Sequence, residues 1–326
     1  TYFIQADLHI SFPDHVPEKT QVSKDQMRRG NPLHLDHILS RQVAGKPFMD
    51  YLKAYPGHEM SDEEAYTTMV QKAIPKMEAE VFQKVVLSRY KDIDYPEGFE
   101  LIPYFLKLCQ TYPNAFCYLA YLPGQGLWLG ASPETLISID THQIFRTVAL
   151  AGTQAYKPGI PLSEVAWTQK EIEEQALVSR YIINCFKKIR LREFEEKGPK
   201  TVVAGNLMHL KTFFEVDMRA THFPELGTVM LELLHPTSAV CGMPKAAALD
   251  FIIQNENYDR AFYSGFLGPV NIDKESHLFV NLRCLQLFKE GLRLYAGAGI
   301  TADSKPQKEW QETEMKCQTL SKILAS

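Results

Sequence analysis

No apolar run in this chain approaches the roughly 20 residues needed to cross a bilayer, so a membrane-spanning helix is not expected. The opening residues TYFIQADLHISF carry neither a charged segment nor an apolar stretch behind it. No signal peptide is therefore expected, and a cytoplasmic setting is. Positive charge is not in excess: 35 Lys and Arg stand against 39 Asp and Glu, a net charge of −4. That argues against a nucleic-acid scaffold. It leaves room for a small anionic substrate, because a local basic pocket vanishes in the sum. The six cysteines (109, 117, 185, 241, 284 and 317) show no CxxC or other metal spacing, which points to buried reduced thiols. No repeat, low-complexity tract or Gly/Ser/Pro linker divides the 326 residues. The chain therefore reads as one domain, with residues 1–60 a short variable N-terminal part and 80–325 carrying the motifs.

What is there is an ordinary globular composition, 45% hydrophobic and 23% charged, with chemistry gathered near the C-terminus. From Leu292 an alternating apolar strand runs into Gly297-Ala298-Gly299, where a break is expected to leave backbone N–H groups open to a ligand. Asp303-Ser304-Lys305-Pro306 starts a helix. Glu309, Glu312 and Lys316 follow on one face at spacings of three and four. A second helix opens at the capping-box pattern Thr168-Gln-Lys-Glu171 and runs to about 189. It presents Glu171 and Glu174 on one face. Two helices each showing E-x-x-E can surround a hard cation such as Mg²⁺ or Ca²⁺. Solvated faces with an i,i+4 ion pair account for the same spacings.

Other residues carry similar double readings. Lys84 opens an apolar strand over 83–89, with Lys84, Val86 and Ser88 on one face and Val85 and Leu87 on the other. It is either a snorkelling edge residue or a partly desolvated base. Glu134 follows the Gly130-Ala-Ser-Pro133 turn of a hairpin formed by 115–122 and 127–130. It is solvent-facing or, if buried, a general acid. Arg283 is expected in the middle of a strand over 277–288, paired to a protein carboxylate or gripping a substrate carboxylate. Further strands are expected at 1–4, 8–12, 135–139, 143–149 (closed by 150–153), 207–210, 213–218, 261–270 and 292–297. Helices are expected at 61–80 (ended or kinked at Pro75), 102–111, 224–234 and 246–254.

Eight stretches in order, spanning roughly residues 80–325, together resemble the chorismate-utilising enzymes. They are Lys84-Val-Val-Leu-Ser-Arg89, Gly130-Ala-Ser-Pro-Glu134, Ala151-Gly-Thr153, Lys170-Glu-x-x-Glu174, His235-Pro-Thr-Ser-Ala-Val240, Gly265-Phe-Leu-Gly268, Tyr295-Ala-Gly-Ala-Gly-Ile300 and Glu309-Trp-Gln-Glu-Thr-Glu-Met-Lys316. Lysine at position 84 resembles the members that add water rather than ammonia. The 235–239 stretch resembles the isochorismate-forming members. The resemblance implies an α+β fold of two packed antiparallel sheets with helices outside and a cleft between them. It implies isomerisation of chorismate to isochorismate, with Lys84 as base and Glu134 as acid. Mg²⁺ would be held by Glu174 and Glu312, supported by Glu171 and Glu309. Gly152, Thr153, Arg283, Tyr295, Gly297 and Lys316 would hold the substrate, with His209 close to the ring and Ala239 and Val240 shaping the wall. The family resemblance also implies a monomer acting on chorismate, with no nucleic-acid or membrane partner. Salicylate formation by further loss of pyruvate is the alternative within the family, and a catalytically inactive chorismate-binding subunit is the alternative outside catalysis. Gln154 departs from the arginine that many relatives carry after Ala-Gly-Thr.

Overall fold

Strands of alternating or continuous apolar character pair into two six-stranded antiparallel sheets, as expected for this α+β chain. The structure is a computed structural model describing residues 52–54, 62–122, 124–156, 159–204 and 207–324. The strands expected at 1–4 and 8–12 lie outside the described residues, as does Ser61. The first sheet has the order β2 (Phe116–Leu122), β3 (Gly126–Ser132), β11 (Cys284–Leu287), β12 (Gly291–Ile300), β1 (Lys84–Asp94), β8 (Gly242–Met243). The second has the order β6 (Glu195–Ala204), β7 (Leu207–Asp217), β5 (Ile144–Ala155), β4 (Thr135–Ile139), β10 (Ser276–Val280), β9 (Phe266–Leu267). The helices are α1 (Glu63–Glu78), α2 (Leu101–Thr111), α3 (Gln169–Lys188), α4 (Leu226–Leu234), α5 (Lys245–Asn255) and α6 (Pro306–Leu324). No helix among the described residues is long and apolar enough to cross a membrane.

Each sheet turns one face to helices and the other toward its partner sheet. On β1, Val85 and Leu87 pack with Ala298 and Ile300 of β12 against Val70 and Ala73 of α1 and Ala248 and Ile252 of α5. Helix α3 lays Val178, Ile182 and Phe186 on Phe145 and Phe214 of the second sheet. Helix α6 lays Cys317, Leu320 and Ile323 on Leu285 and Leu292 of the first. Full burial of such a side chain contributes roughly 1.5–3 kcal/mol, so both site-bearing helices are anchored through their inner faces. Their other faces are left free to carry charge. Asp62 accepts from the Ala65 N–H and caps α1. Thr168 and Glu171 form the expected capping box of α3, and Pro306 is the first residue of α6.

Several expectations are corrected. The strand over 277–288 is two strands in different sheets, β10 and β11, broken at Asn281–Arg283, where Arg283 is left-handed (φ 49°). Arg283 thus sits at a crossing between sheets rather than in a strand. The stretch 261–270 is mostly tight turns, with Ala261 (φ 48°) and Ser264 (φ 62°) left-handed and only Phe266–Leu267 paired. The strand expected to break at Gly297 continues to Ile300, with Gly297, Ala298 and Gly299 paired to Ser88, Leu87 and Val86. The strand expected to close at 150–153 continues through that segment, with a bulge between Ala151 and Gln154. Two short strands over 207–218 are one, β7. Pro75 neither ends α1 nor stands at its boundary, because the helix continues one further turn to Glu78. Edge strand β6, with EEKGPK at its start, escaped a hydrophobic-pattern reading because edge strands tolerate charge and proline.

Candidate active site

Between the two sheets lies a narrow cleft open to solvent, with a cavity volume of about 90 Å³. Lys84 is the first residue of β1 and faces this cleft with Val86. It is only 1% exposed, and its Nζ donates to Glu174 Oε1 at 2.8 Å. The pair fits because β12 offers no side chain where it lies. A Cβ on Gly299 would stand 2.8 Å from Glu174 Oε1 and 2.9 Å from Lys84 Cε. One on Gly297 would stand 2.9 Å from the Tyr263 hydroxyl and 3.0 Å from the Leu87 carbonyl. These glycines clear space for the site, and they stand opposite Ser88 and Val86 in the β1–β12 register.

Glu134 joins the sheets at the β3–β4 junction. Its N–H donates to Ser132 Oγ, that hydroxyl donates to the Val280 carbonyl, and the Val280 N–H donates back to the Glu134 carbonyl. The backbone is therefore fixed, while the carboxyl lies in the cleft, 7% exposed. Burial pushes the carboxyl up to about 7, against the opposing pull of Lys84, Lys316, Arg283 and Lys211. At neutral pH it can carry a proton, the requirement for an acid.

The cleft is also a seat for anions. Arg283 lines it, half-buried, and its guanidinium has no hydrogen bond or ion pair to a described residue. A buried guanidinium without an acceptor is costly, so an anionic ligand is the natural partner. Lys316 on α6 donates to the Gly297 carbonyl at 2.7 Å and pairs with Glu312 at 2.7 Å. His209 on β7 donates Nδ1–H to the Gly152 carbonyl at 2.9 Å, with Thr153 Oγ1 at 3.3 Å. Its Nε2 is buried without a hydrogen-bond partner among the described residues. Burial and then the Arg283 charge pull its pKa down to about 4. The imidazole is neutral at pH 7 and offers the cleft a hydrogen-bond acceptor.

The four carboxylates expected around a cation divide. Glu174 and Glu312 line the cleft. Glu171 is turned to its own helix start, accepting from the Thr168 N–H and hydroxyl, with Gln154 Nε2 at 3.4 Å. Glu309 is buried and accepts from Lys170 Nζ at 2.8 Å. Burial pushes Glu174 up, and Lys84, with Lys316 and Lys170, more than offsets it, holding this carboxyl below its ordinary range. Among the described residues, no three metal-ligating side chains converge on one point. The donor set nevertheless suits a hard ion. It is all oxygen, and its two cleft members already hold ammonium cations. Mg²⁺ is commonly bound by one or two carboxylates, with substrate and water completing the shell.

Twelve of the fifteen residues singled out in the sequence line this one cleft: Lys84, Glu134, Gly152, Thr153, Glu174, His209, Ala239, Arg283, Tyr295, Gly297, Glu312 and Lys316. Val240 instead lines a second cavity behind the wall, and Glu171 and Glu309 lie outside the cleft lining. Sequence reasoning did not name Tyr263 or Val86 as site residues, and it took Gly299 only as part of a glycine break. Gly299 was detectable, since it shares a strand face with Gly297. Tyr263 was not, because its stretch reads as a strand. Gln154 donates to the Ala166 carbonyl and toward Glu171, and it lies outside the cleft lining.

Comparison with known proteins gives a consistent set of relatives. Residues 25–325 match the family described as chorismate binding enzyme. Isochorismate synthase DhbC of Bacillus subtilis (strain 168) is 28% identical over 327 aligned residues, covering 95% of this chain and 78% of that protein. Isochorismate synthase EntC of Escherichia coli (strain K12) is 29% identical over 267 residues, 80% of this chain and 67% of that protein. The crystal structure of DhbC from Bacillus anthracis aligns with a TM-score of 0.71 at 28% identity, covering 81% of this chain and 72% of that one.

Proposed function

This chain belongs to the chorismate binding enzymes, and from that premise we propose that it converts chorismate to isochorismate. The observation that carries the reading is a cleft holding Lys84, a Glu134 carboxyl raised to about 7, and an Arg283 guanidinium with no hydrogen bond or ion pair to a described residue. Chorismate is a dianion with a ring hydroxyl at C4. In the reaction water adds at C2, the ring double bonds shift, and the C4–O bond breaks. Lys84 Nζ, once free of its own extra proton, takes a proton from the incoming water as the C2–O bond forms. Glu134 gives its proton to the departing hydroxyl, which leaves as water. Solvent then returns both groups to their starting protonation. Arg283 holds the enolpyruvyl carboxylate, and Lys316 with the backbone at Gly152 and Gly297 positions the other. Thr153, His209, Tyr295 and Ala239 shape the space around the ring, with Val240 behind that wall.

Mg²⁺, held by Glu174 and Glu312 with Glu171 and Glu309 in support, supplies charge neutralisation for the ring carboxylate when bound. Glu174 Oε1 now accepts from Lys84. Glu312→Ala is expected to raise the Mg²⁺ concentration required for half-maximal turnover by at least tenfold. An unchanged metal titration would remove α6 from the metal site.

Gly299→Ala inserts a methyl between Lys84 and Glu174 whose only close neighbours are movable side-chain ends. The fold should survive, with an unfolding temperature within a few degrees of wild type, while kcat/KM for chorismate falls more than tenfold. Kinetics and thermal unfolding on the same preparation test this, and a fully active variant would show that the pair's position is unimportant.

The reading fits a small anionic substrate handled in the cytoplasm by a monomer, without nucleic-acid or membrane partners, in keeping with the net charge of −4. The deciding experiment incubates the protein with chorismate and Mg²⁺, with and without ammonium, and identifies products by NMR. Isochorismate alone, abolished by EDTA, is the expected result. Salicylate with pyruvate would move the protein to the other branch of the family, and an aminated ring would overturn the role of Lys84. No turnover would favour a binding subunit.

A further inference from the structure

Strand β1 carries the proposed base at its very start, yet one of its edges is almost bare. Along Val85–Asp94 it is paired to β12. On the other side β8 pairs only with Lys84 and Val85, and the Val86 N–H adds one more bond to the Cys241 carbonyl. Beyond that point no strand among the described residues takes over this edge. An unpaired backbone edge beside a reactive side chain leaves the strand free to shift.

Two side chains from the segment after α5 occupy that edge instead. Arg260 Nη2 donates to the Val86 carbonyl at 2.8 Å, and Glu256 Oε1 accepts from the Ser88 N–H at 2.7 Å and the Ser88 hydroxyl at 3.0 Å. These are the next acceptor and donor in the row that β8 abandons, because residues 86 and 88 present their backbone to the same side. The pair is joined internally by Arg260 Nε and Nη2 to the two Glu256 oxygens at 2.7 and 2.6 Å. Its side chains are 16% and 3% exposed. Tyr258 closes the set with its hydroxyl 2.6 Å from Ser88 Oγ.

The remaining arm of the guanidinium reaches elsewhere. Arg260 Nη1 donates to the Val240 carbonyl at 2.8 Å, next to Ala239 on the cleft wall. The Tyr263 N–H donates to the Arg260 carbonyl at 2.9 Å, and the Tyr263 ring also lines the cleft. One guanidinium therefore touches the backbone of the strand that bears Lys84 and of the adjoining segment that carries Ala239 into the cleft wall. Its planar fork can serve several acceptors in fixed directions, which an ammonium on a flexible stem cannot.

We propose that Arg260, braced by Glu256, is a positioning residue for the proposed reaction: it replaces the missing edge strand of β1 and fixes the spacing between Lys84–Val86 and the wall at Ala239–Val240. It touches no reacting atom in this role. The inference rests on the assignment of the cleft as the chorismate site. A displacement of about 1 Å at a reacting group can cost on the order of 10²-fold in rate, so a modest loosening here is read in turnover before it is read in binding.

The test compares Arg260→Lys with Arg293→Lys. Arg293 makes a similar two-pronged ion pair, to Asp92 at 2.7 and 2.8 Å, in the sheet that holds β1 but outside the cleft lining. Arg260→Lys is expected to lower kcat at least tenfold with KM changed less than threefold, at a temperature where both variants are folded. Arg293→Lys should lose a similar amount of thermal stability and keep its kcat. If Arg260→Lys does not fold, Glu256→Gln, which keeps the side-chain length and removes the carboxylate, should give the same split. Equal kinetics in the two arginine variants would overturn the proposal. Amide hydrogen exchange gives a reading independent of chemistry. Val86, Ser88 and Val240 should exchange faster in Arg260→Lys, while the far end of β1 stays protected. Uniform acceleration would overturn the proposal even if wild type made a product other than isochorismate. Absence of isochorismate from the wild-type protein would instead defeat the functional reading alone.

Discussion

Glu134→Gln should lower turnover of chorismate by a factor of about 10² to 10⁴, the usual contribution of a positioned acid, with the fold unchanged. Glutamine matches the side chain in size and keeps the bonds that fix the backbone, since these run through the main chain and Ser132. What it removes is a transferable proton. Wild-type kcat/KM should fall as pH rises above about 7, because the free protein then loses the proton that the raised carboxyl holds. The same shift predicts a stability signature that requires no substrate. Between the ordinary value of 4.5 and about 7 the folded chain holds a proton at Glu134 that the unfolded chain has released. Stability from this group is therefore complete below about 4.5 and is lost as pH rises through 7, on the order of 3 kcal/mol in all. Glutamine has no such proton, so the variant should gain on wild type between pH 5 and pH 8. Chemical denaturation at those two pH values measures this. A constant difference would mean that Glu134 is not held neutral by burial, and near wild-type turnover would end its role as acid.

The parts of this site that could be read from sequence were those whose chemistry needs residues close together along the chain. Glu309, Glu312 and Lys316 share a face because a helix repeats every 3.6 residues, and the capping box at Thr168 and Glu171 fixed the start of α3 in the same local way. Lys84 and Val86 share a face because a strand alternates, so the side of β1 that meets the cleft was legible too. The bringing together of Lys84 with Glu134 was not legible in that sense. It entered only through resemblance, since no period links residues fifty positions apart. The glycines after Leu294 gave a true signal of the site, and only the strand break expected with them is absent. They mark space cleared for Lys84 and Glu174, and the strand does not end there. The misread stretches, 261–270 and 277–288, contain left-handed residues that are not glycine, at Ala261, Ser264 and Arg283. Nothing in their side chains announces that conformation, which tertiary contacts impose. Strand β6 was lost because its exposed edge needs no apolar pattern.

Lys84→Ala should be as damaging as the loss of the acid, by about 10² to 10⁴, and the manner of its repair can identify the role. Lysine here is only 1% exposed, and its ammonium is hydrogen-bonded to Glu174. Truncation therefore leaves both a cavity and a buried carboxylate without its first partner. Some stability is expected to be lost, since breaking one side of a buried pair is more costly than the pair's net value. Lys84→Met fills most of the space, so equal loss of turnover in both variants would separate chemistry from packing. The cavity in Lys84→Ala should admit a small primary amine. If lysine acts as a base, methylamine should restore turnover in proportion to its unprotonated fraction, rising with pH, with isochorismate still the product. If lysine serves only as a cation for Glu174, the protonated amine should be the effective form and recovery should decline as pH rises. Ammonia offers a third outcome, because it can enter the same space and add to the ring itself. An aminated product from the variant, and none from wild type, would mean that Lys84 also keeps competing nucleophiles from the position where water adds. Turnover near the wild-type rate in Lys84→Ala would show that no base is needed at this position, and the assignment would fail.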